Sequence, residues 1–304
     1  AEADDGIPVA RYPEFDYATG RERPEWTTVR EYRPRPGSVA EANRILERHE
    51  GLVRRLSGLI KAARVSRPQR MRRQVEGEAL DLDAVLDAVV DRRGGSTPDP
   101  RVYQTVARRH RDLSVLVLLD VSQSTADRVK GHVLTVLDVE REATLLLAHA
   151  LSGLGDPFAI AAFSSNRRDD VRYTRIKDFG EPYGTAEKAA IVGLKPGFST
   201  RMGAALRHAG ADLARQHTHR RLVLAISDGE PSDRDCTDRR YLVEDTRRAV
   251  QSLAARGIDV FCVGLESGGD AWLHHIFGRR NVLVIDRIEQ LPRRLPLLYM
   301  RLSG

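Results

Sequence analysis

Apolar runs alternate with amphipathic stretches from residue 113 to the end of the chain. The apolar runs predict six strands, near 113–119, 157–164, 171–177, 221–227, 258–264 and 281–285. Apolar residues at helical spacing predict six helices, near 136–153, 184–191, 201–216, 240–256, 270–277 and 287–300. This alternation is typical of an α/β protein with a doubly wound, mostly parallel sheet. The loop at 165–170 is too short for a crossover, so one edge pair is expected to be antiparallel.

The amino-terminal part of the chain lacks this alternation. We therefore divide the chain into residues 1–110, an extended arm with a helical appendage, and residues 111–304, the α/β domain. Residues 1–37 are polar and contain several prolines, yet they also contain aromatic residues such as Trp26. Because simple linkers rarely contain Trp and Tyr, we expect parts of this arm to dock on a surface.

Two helices are predicted in the appendage. Ser38 can cap a helix over residues 39–65, with Glu41 three residues later as the partner in a capping box. A second helix is expected near 78–92, with four apolar side chains facing inward: Leu82, Val85, Leu86 and Val89.

Charge and composition exclude several classes of protein. The formal net charge is +6 with 30% charged residues, which indicates a mildly basic surface rather than a nucleic-acid-binding arm. Cys236 and Cys262 are the only cysteines, so a reducing cytoplasm is expected. No apolar run is long enough to insert into a membrane, and no signal peptide is recognisable. The chain does not begin with Met, so we expect a piece of a longer protein.

Small oxygen-bearing side chains follow the first strand of the α/β region. The strand ends in Asp120, and Ser122 and Ser124 follow in the pattern Asp-x-Ser-x-Ser. In an extended turn, side chains at alternate positions point the same way. These three residues can therefore converge on one point above the strand end.

Two further oxygen ligands are expected from other loops. Thr200 precedes a predicted helix, and Asp228 follows a predicted strand; loops at the carboxyl ends of strands meet at one crevice. Ser199 competes with Thr200, which we favour because it adjoins the helix start. Such hard oxygen ligands predict a site for Mg²⁺, although Mn²⁺ and Ca²⁺ would also accept them. With only two carboxylates, the ion is expected to stay electrophilic, and a sixth position can take either a carboxylate from a partner or a water molecule.

This constellation resembles the metal-ion-dependent adhesion site of von Willebrand factor A domains, and the resemblance covers about residues 112–302. There the same pattern of Asp-x-Ser-x-Ser, Thr and Asp occurs. The resemblance implies that the two serines and Thr200 bind the metal, some directly, and that the two aspartates act partly through water.

Several local stretches resemble a narrower group, the CbbO/NorD proteins. These stretches are 12–17, 228–233, 238–247, 261–265, 276–281 and 291–299. The resemblance implies a non-catalytic adaptor for a hexameric AAA+ ATPase of the MoxR class, such as CbbQ. In that group CbbO reactivates inhibited rubisco, and NorD is associated with the maturation or activation of nitric oxide reductase. We favour rubisco as the client enzyme and keep nitric oxide reductase as the alternative.

Three other functions were weighed. A Mg²⁺-dependent hydrolase is disfavoured because the chain has no P-loop and no Gly-x-Ser-x-Gly motif. A nucleic-acid site on Arg54–Arg73 is disfavoured because that basic stretch contains no aromatic residue. A zinc pair at His217 and His219 is conceivable, but a solvated loop is the simpler interpretation.

Charged residues after the Asp228 loop allow two interpretations. Arg239, Arg240, Glu244 and Asp245 can frame a partner surface around the metal, or they can belong to a helix whose start favours acids.

Overall fold

The computed structural model describes residues 6–64, 69–77, 79–107, 113–129, 133–264, 271–285 and 290–302. The strands are β1 (Ile7–Asp16), β2 (Arg21–Tyr32), β3 (Gln69–Gln74), β4 (Ala79–Leu80), β5 (Tyr103–Ala107), β6 (Leu113–Asp120), β7 (Phe158–Ser165), β8 (Val171–Lys177), β9 (Arg220–Ser227), β10 (Asp259–Gly264) and β11 (Val282–Val284). The helices are α1 (Val39–Arg48), α2 (Glu50–Arg64), α3 (Leu82–Arg93), α4 (Val136–Leu154), α5 (Thr185–Val192), α6 (Met202–Ala214), α7 (Arg239–Ala255), α8 (Ala271–Phe277) and α9 (Leu291–Leu302). Short 3-10 turns lie at Gln123–Ala126 and Arg279–Asn281. Of the helices described, none is both long and apolar enough to cross a membrane.

The chain forms two compact units, one of residues 1–58 with 112–304 and one of residues 59–111. This differs from the predicted division, which placed all of residues 1–110 in a separate arm and appendage. The end of the smaller unit nevertheless coincides with the predicted start of the α/β domain.

The larger unit is built on an eight-stranded sheet with the order β1-β2-β8-β7-β6-β9-β10-β11. Neighbours from β7 through β6, β9 and β10 to β11 pair in parallel, and β8 runs antiparallel to β7 as predicted. This pair was expected at the edge of the sheet, but β2 pairs with the other side of β8. Every residue of β6 and β7 is buried, because helices cover both faces of the central sheet. The predicted α/β class and all six predicted strands are confirmed.

The amino-terminal arm is part of this sheet, so the prediction of six strands was too low. β1 and β2 form an antiparallel hairpin, and β2 pairs in parallel with β8 from Val29 opposite Val171 to Tyr32 opposite Thr174. Most residues of the hairpin remain exposed or half-buried. An edge hairpin of this kind lacks the regular apolar alternation from which strands are recognised in a sequence.

The helix expected over 39–65 is divided in two at His49. Ser38 caps α1, as predicted, by accepting a hydrogen bond from the Glu41 backbone N–H at 3.3 Å. Both Arg48 and His49 contact the buried carboxylate of Glu142 on α4, at 2.6 and 3.1 Å. These contacts attach α1 to the α/β unit.

The smaller unit contains a three-stranded antiparallel sheet in the order β3-β5-β4, together with α3. These short strands were not predicted. The first, β3, begins within the basic stretch Arg54–Arg73, of which residues 65–68 lie outside the described part. The inward orientation expected for Leu82, Leu86 and Val89 is wrong, since they are 76%, 67% and 44% exposed. A unit of this size covers little helix surface, so apolar spacing overestimates burial here.

The segment that follows β2 lies tightly against the carboxyl end of α5. The Gly37 N–H donates to the Ala189 carbonyl oxygen at 2.7 Å. A Cβ atom on Gly193 would overlap the carbonyl oxygen of Arg35, so this approach requires glycine.

We expect Gly193→Ala to destabilise the protein by about 1–3 kcal/mol, because the added methyl group forces residues 35–37 away from α5. The free energy of unfolding, measured by urea denaturation, tests this. Gly180→Ala is the matched control, since a Cβ there meets nothing within 4 Å. Equal stability of the two variants would contradict the expectation.

Candidate metal centre

Four of the five residues expected to bind a metal lie at the carboxyl ends of two adjacent strands, and the fifth lies in the loop before α6. Asp120 is the last residue of β6, and Asp228 directly follows β9, which pairs with β6 in parallel. Ser122 and Ser124 lie in the turn after β6, and Thr200 lies two residues before α6. The sheet topology thus brings together residues that are more than a hundred positions apart in sequence.

Polar contacts connect all five residues. The hydroxyl oxygens of Ser122 and Ser124 are 3.1 Å apart, and Ser124 Oγ donates to Asp228 Oδ1 at 2.8 Å. The Ser122 backbone N–H donates to Asp120 Oδ1 at 2.9 Å, and the Thr200 hydroxyl lies near enough to the Asp120 carboxyl to help lower its pKa. The five residues therefore form one continuous polar cluster.

Thr200, rather than Ser199, supplies the hydroxyl that contacts this cluster. Ser199 pairs through its backbone with Ser165, with N–O distances of 2.7 and 2.8 Å. Thr200 is 4% exposed, and its hydroxyl is one of the groups that lower the pKa of the Asp120 carboxyl. Thr200 therefore stays the predicted ligand.

Negative charge is concentrated in the cluster. Burial raises the pKa of the Asp120 carboxyl, although hydrogen bonds from Ser122, Ser227 and Thr200 partly oppose the effect. Burial and then the charge of Asp120 raise the pKa of Asp228 to about 7. Two carboxylates that lie close together away from water are costly to ionise, and a bound cation would stabilise their charged form.

Two polar residues of this region were missed in the sequence. Ser227 Oγ donates to Asp120 Oδ2 at 2.8 Å, which orients the carboxylate from the side of β9. Glu140 on α4 is fully buried, and neither of its carboxylate oxygens has a hydrogen-bond partner among the described residues. Burial, followed by the charges of Asp228 and Asp120, raises the pKa of Glu140 well above its ordinary value. Glu140 lies three residues after the buried Leu137, on the same face of α4, and this spacing was the one feature of the sequence that indicated its burial.

The Thr200 loop is held in place by its neighbours. The Thr200 and Ser232 backbones exchange two hydrogen bonds, of 2.8 and 3.0 Å. Arg201 is 2% exposed and pairs with Glu14 of β1 at 2.5 Å and with Asp233 at 3.1 Å; Asp235 is its third partner. Burial opposes the charge of Arg201, but the carboxylates, Glu14 foremost, raise its pKa above the ordinary value.

Asp233 extends this arrangement to the end of β7. Its carboxylate accepts a hydrogen bond from Ser165 Oγ at 2.7 Å and another from the Arg167 N–H at 3.1 Å. Ser165 Oγ in turn accepts the Arg201 N–H at 3.0 Å. The loops after β7 and β9, the Thr200 loop and β1 are therefore joined through one buried arginine.

Other candidate residues from the sequence lie elsewhere. His217 and His219 are exposed, and in the described ranges no group of three or more His, Cys, Asp and Glu residues is arranged to hold a metal. Both cysteines are free thiols, and Cys262 is a buried core residue.

The charged residues at the start of α7 have separate roles. Asp245 is fully buried, where it binds Arg207 at 2.7 Å and the Phe15 N–H at 2.8 Å, so it cannot frame a partner surface. Arg240 pairs with Glu244 at 3.2 Å within the helix. Asp238 caps the helix by accepting the Arg240 N–H at 3.0 Å.

We expect Arg201→Met to lower the free energy of unfolding by about 3–5 kcal/mol, because it leaves the buried carboxylates of Glu14 and Asp233 without their counter-charge. Chemical denaturation is the measurement. Arg240→Met, which breaks an exposed ion pair, is the control and should change stability by less than about 0.5 kcal/mol. Similar losses for both variants would show that Glu14 and Asp233 do not depend on Arg201 for their counter-charge.

Comparison with known proteins is consistent with this architecture. Residues 114–291 match the von Willebrand factor type A domain family. The chain is 38% identical over 295 residues to an uncharacterized protein of Pseudomonas aeruginosa, covering 97% of the chain and 47% of that protein. It is also 38% identical over 296 residues to the protein NorD of Brucella abortus, covering 96% of the chain and 46% of NorD. The chain thus spans about half the length of the curated relatives it matches.

Solved structures show the same fold. The PilB minor pilin of Streptococcus sanguinis superposes with a TM-score of 0.53 at 14% identity, covering 65% of this chain and 62% of the pilin. At this identity the likeness concerns the fold alone. The chain is accordingly a von Willebrand factor type A domain protein of the CbbO/NorD group.

Proposed function

We propose that this chain is a metal-dependent binding module that holds a carboxylate of a client protein. The observation that carries the proposal is the continuous cluster of two carboxylates and three hydroxyls at the ends of β6 and β9. We assign Mg²⁺ as the resident ion, with Mn²⁺ and Ca²⁺ as ions that these oxygens also accept.

The chemistry of the donor set fits such an ion. Mg²⁺ takes oxygen ligands, and Asp120, Ser122, Ser124, Thr200 and Asp228 present only oxygens. Glu140 is buried beside the cluster, where burial and the charges of Asp228 and Asp120 raise its pKa, so a nearby cation would favour the ionised form of this carboxyl. When bound, the ion would supply an electrophilic position for an incoming carboxylate.

The protein's own residues orient this cluster. Ser227 and the Ser122 N–H fix the Asp120 carboxylate, and the pairing of Thr200 with Ser232 fixes the third hydroxyl. A site whose ligands are held in position before binding loses less entropy when a partner arrives.

We assign the chain a non-catalytic role. The sequence contains neither a P-loop nor a Gly-x-Ser-x-Gly motif. This favours binding over a Mg²⁺-dependent hydrolase.

We further propose that the module couples its client to a MoxR-class AAA+ ATPase of the CbbQ type. The proposal rests on membership of the CbbO/NorD group, and the activity of the full-length relatives is transferred here only as part of it. The sequence resemblance favoured rubisco as the client. The relatives named NorD now favour nitric oxide reductase, with rubisco as the alternative.

We expect Mg²⁺ at a hundredfold excess over its Kd to add about 2.7 kcal/mol to the free energy of unfolding of the wild-type chain. The thermal unfolding midpoint should rise accordingly. Asp120→Asn should remove this response while the protein still folds, since it replaces a buried charge with a neutral amide. Asp169→Asn, at a side chain 80% exposed, is the control and should respond as the wild type. A Mg²⁺ response of Asp120→Asn equal to that of the control would contradict the assignment.

Capture from a detergent-treated host lysate identifies the client. Nitric oxide reductase or rubisco should be recovered by the wild-type chain in Mg²⁺, and neither with chelator or with Asp120→Asn. Mass spectrometry of the captured proteins distinguishes the two clients. Equal recovery in all three samples would show that the candidate site of Asp120, Ser122, Ser124, Thr200 and Asp228, called the metal cluster below, does not hold the client.

A further inference from the structure

A cationic pocket adjoins the metal cluster. It is a cavity of about 240 Å³ between the segment after β2, strand β8 and the loop at 193–198. Four of its lining residues carry positive charge, namely Arg33, Arg35, Arg172 and Lys195, and none of its lining residues is an Asp or Glu.

Most of this positive charge is not neutralised within the protein. Arg33, Arg35 and Lys195 are exposed, and none of them forms an ion pair with any residue that the structure describes. Arg172 has only a long contact of 3.8 Å with Asp170. The pocket is therefore complementary to a ligand with negative charge.

The pocket is built in advance of any ligand. The guanidinium of Arg172 lies 3.9 Å from the ring centre of Tyr32 and 4.6 Å from that of Phe198. The backbone of Arg35 is held against Gly193 so closely that no Cβ fits between them. Groups held in this way lose little freedom on binding, which favours affinity.

One residue with a strained backbone, Phe198, contacts both the pocket and the turn that carries Ser122 and Ser124. Phe198 has a φ of +70°, a left-handed conformation that bulky side chains rarely adopt. Its ring contacts Arg172 in the pocket, while its carbonyl oxygen accepts the Gln123 N–H at 2.9 Å. Strained residues of this kind concentrate at ligand-binding sites.

The chain itself also connects the two sites. Val121 lines the pocket and stands between Asp120 and Ser122, and its carbonyl oxygen accepts the Gly197 N–H at 2.9 Å. Thr200 follows two residues after Phe198. A protein segment bound to the metal would therefore place its neighbouring residues near the pocket.

We propose that this pocket binds acidic side chains of the client segment that also supplies a carboxylate to the metal, an inference that rests on the proposed function. Arginine guanidinium groups bind carboxylates through paired hydrogen bonds, and Lys195 adds a point charge. The metal then selects one carboxylate, and the pocket selects a segment in which further acidic residues lie close to it.

Binding of a fluorescent oligoglutamate peptide to the whole chain, followed by anisotropy in Mg²⁺, tests the pocket. The double variant Arg35→Gln/Lys195→Gln should weaken binding about fivefold to tenfold, as expected for two partly exposed charge contacts. Its Mg²⁺ affinity, measured by calorimetry, should equal that of the wild type. Arg279→Gln/Arg280→Gln removes the same charge beside β11, at the other edge of the sheet, and should change binding less than about twofold.

The outcomes separate the two proposals. Equal peptide affinity of the pocket and control double variants overturns the pocket, and so does equal binding of an oligoglutamine peptide. Displacement of the peptide by inorganic phosphate, beyond that caused by sodium chloride of equal ionic strength, also overturns it in favour of a phosphate site. Loss of binding in the pocket variant alone supports it. If neither chelator nor Asp120→Asn affects the peptide, the metal-dependent function fails, whatever the pocket variant does.

Discussion

The pair of carboxylates that end β6 and β9 is the constraint on which the rest of this structure depends. Adjacent parallel strands bring Asp120 and Asp228 together, and both are withdrawn from solvent enough to raise their pKa values. Charge in such a place requires either hydrogen-bond donors or a cation. Ser122, Ser227 and Thr200 partly compensate this charge, and the part left uncompensated is the basis on which we propose a metal ion there.

A second buried charge, of opposite sign, anchors the loop that supplies Thr200. Arg201 reaches Glu14 on the amino-terminal hairpin and Asp233 in the loop after β9. An ion network of this kind adds little net stability compared with apolar packing, but it tolerates only one arrangement of its members. The hairpin is therefore a structural support of the candidate metal centre, although it lies far from it in the sequence.

The sequence predicted the elements whose burial follows a simple period. β6 is apolar from Val115 to Leu119 because helices cover both of its faces, so its end, and with it Asp120, could be located without a structure. The β1–β2 hairpin escaped because an edge hairpin exposes most of its residues. Glu14 and Arg201 escaped for another reason, since charged residues are ordinarily read as surface positions and their pairing depends on tertiary contacts alone. Glu140 carried a signal, an acid at core spacing, that was not used.

The loop from Gly197 to Arg201 has three roles in five residues. Phe198 lines the cationic pocket, Thr200 is a proposed metal ligand, and Arg201 anchors the loop. Phe198 is strained at a cost of about 1–3 kcal/mol, and that conformation persists only because the surrounding contacts determine it. Those contacts are the backbone hydrogen bonds to Val121 and Gln123 on one side and the ion network of Arg201 on the other. Thr200 lies between these two anchors. A ligand that contacts Phe198 in the proposed pocket would therefore act on the same short segment that positions the Thr200 hydroxyl. Binding in the pocket and binding at the proposed metal site would then be coupled through this loop.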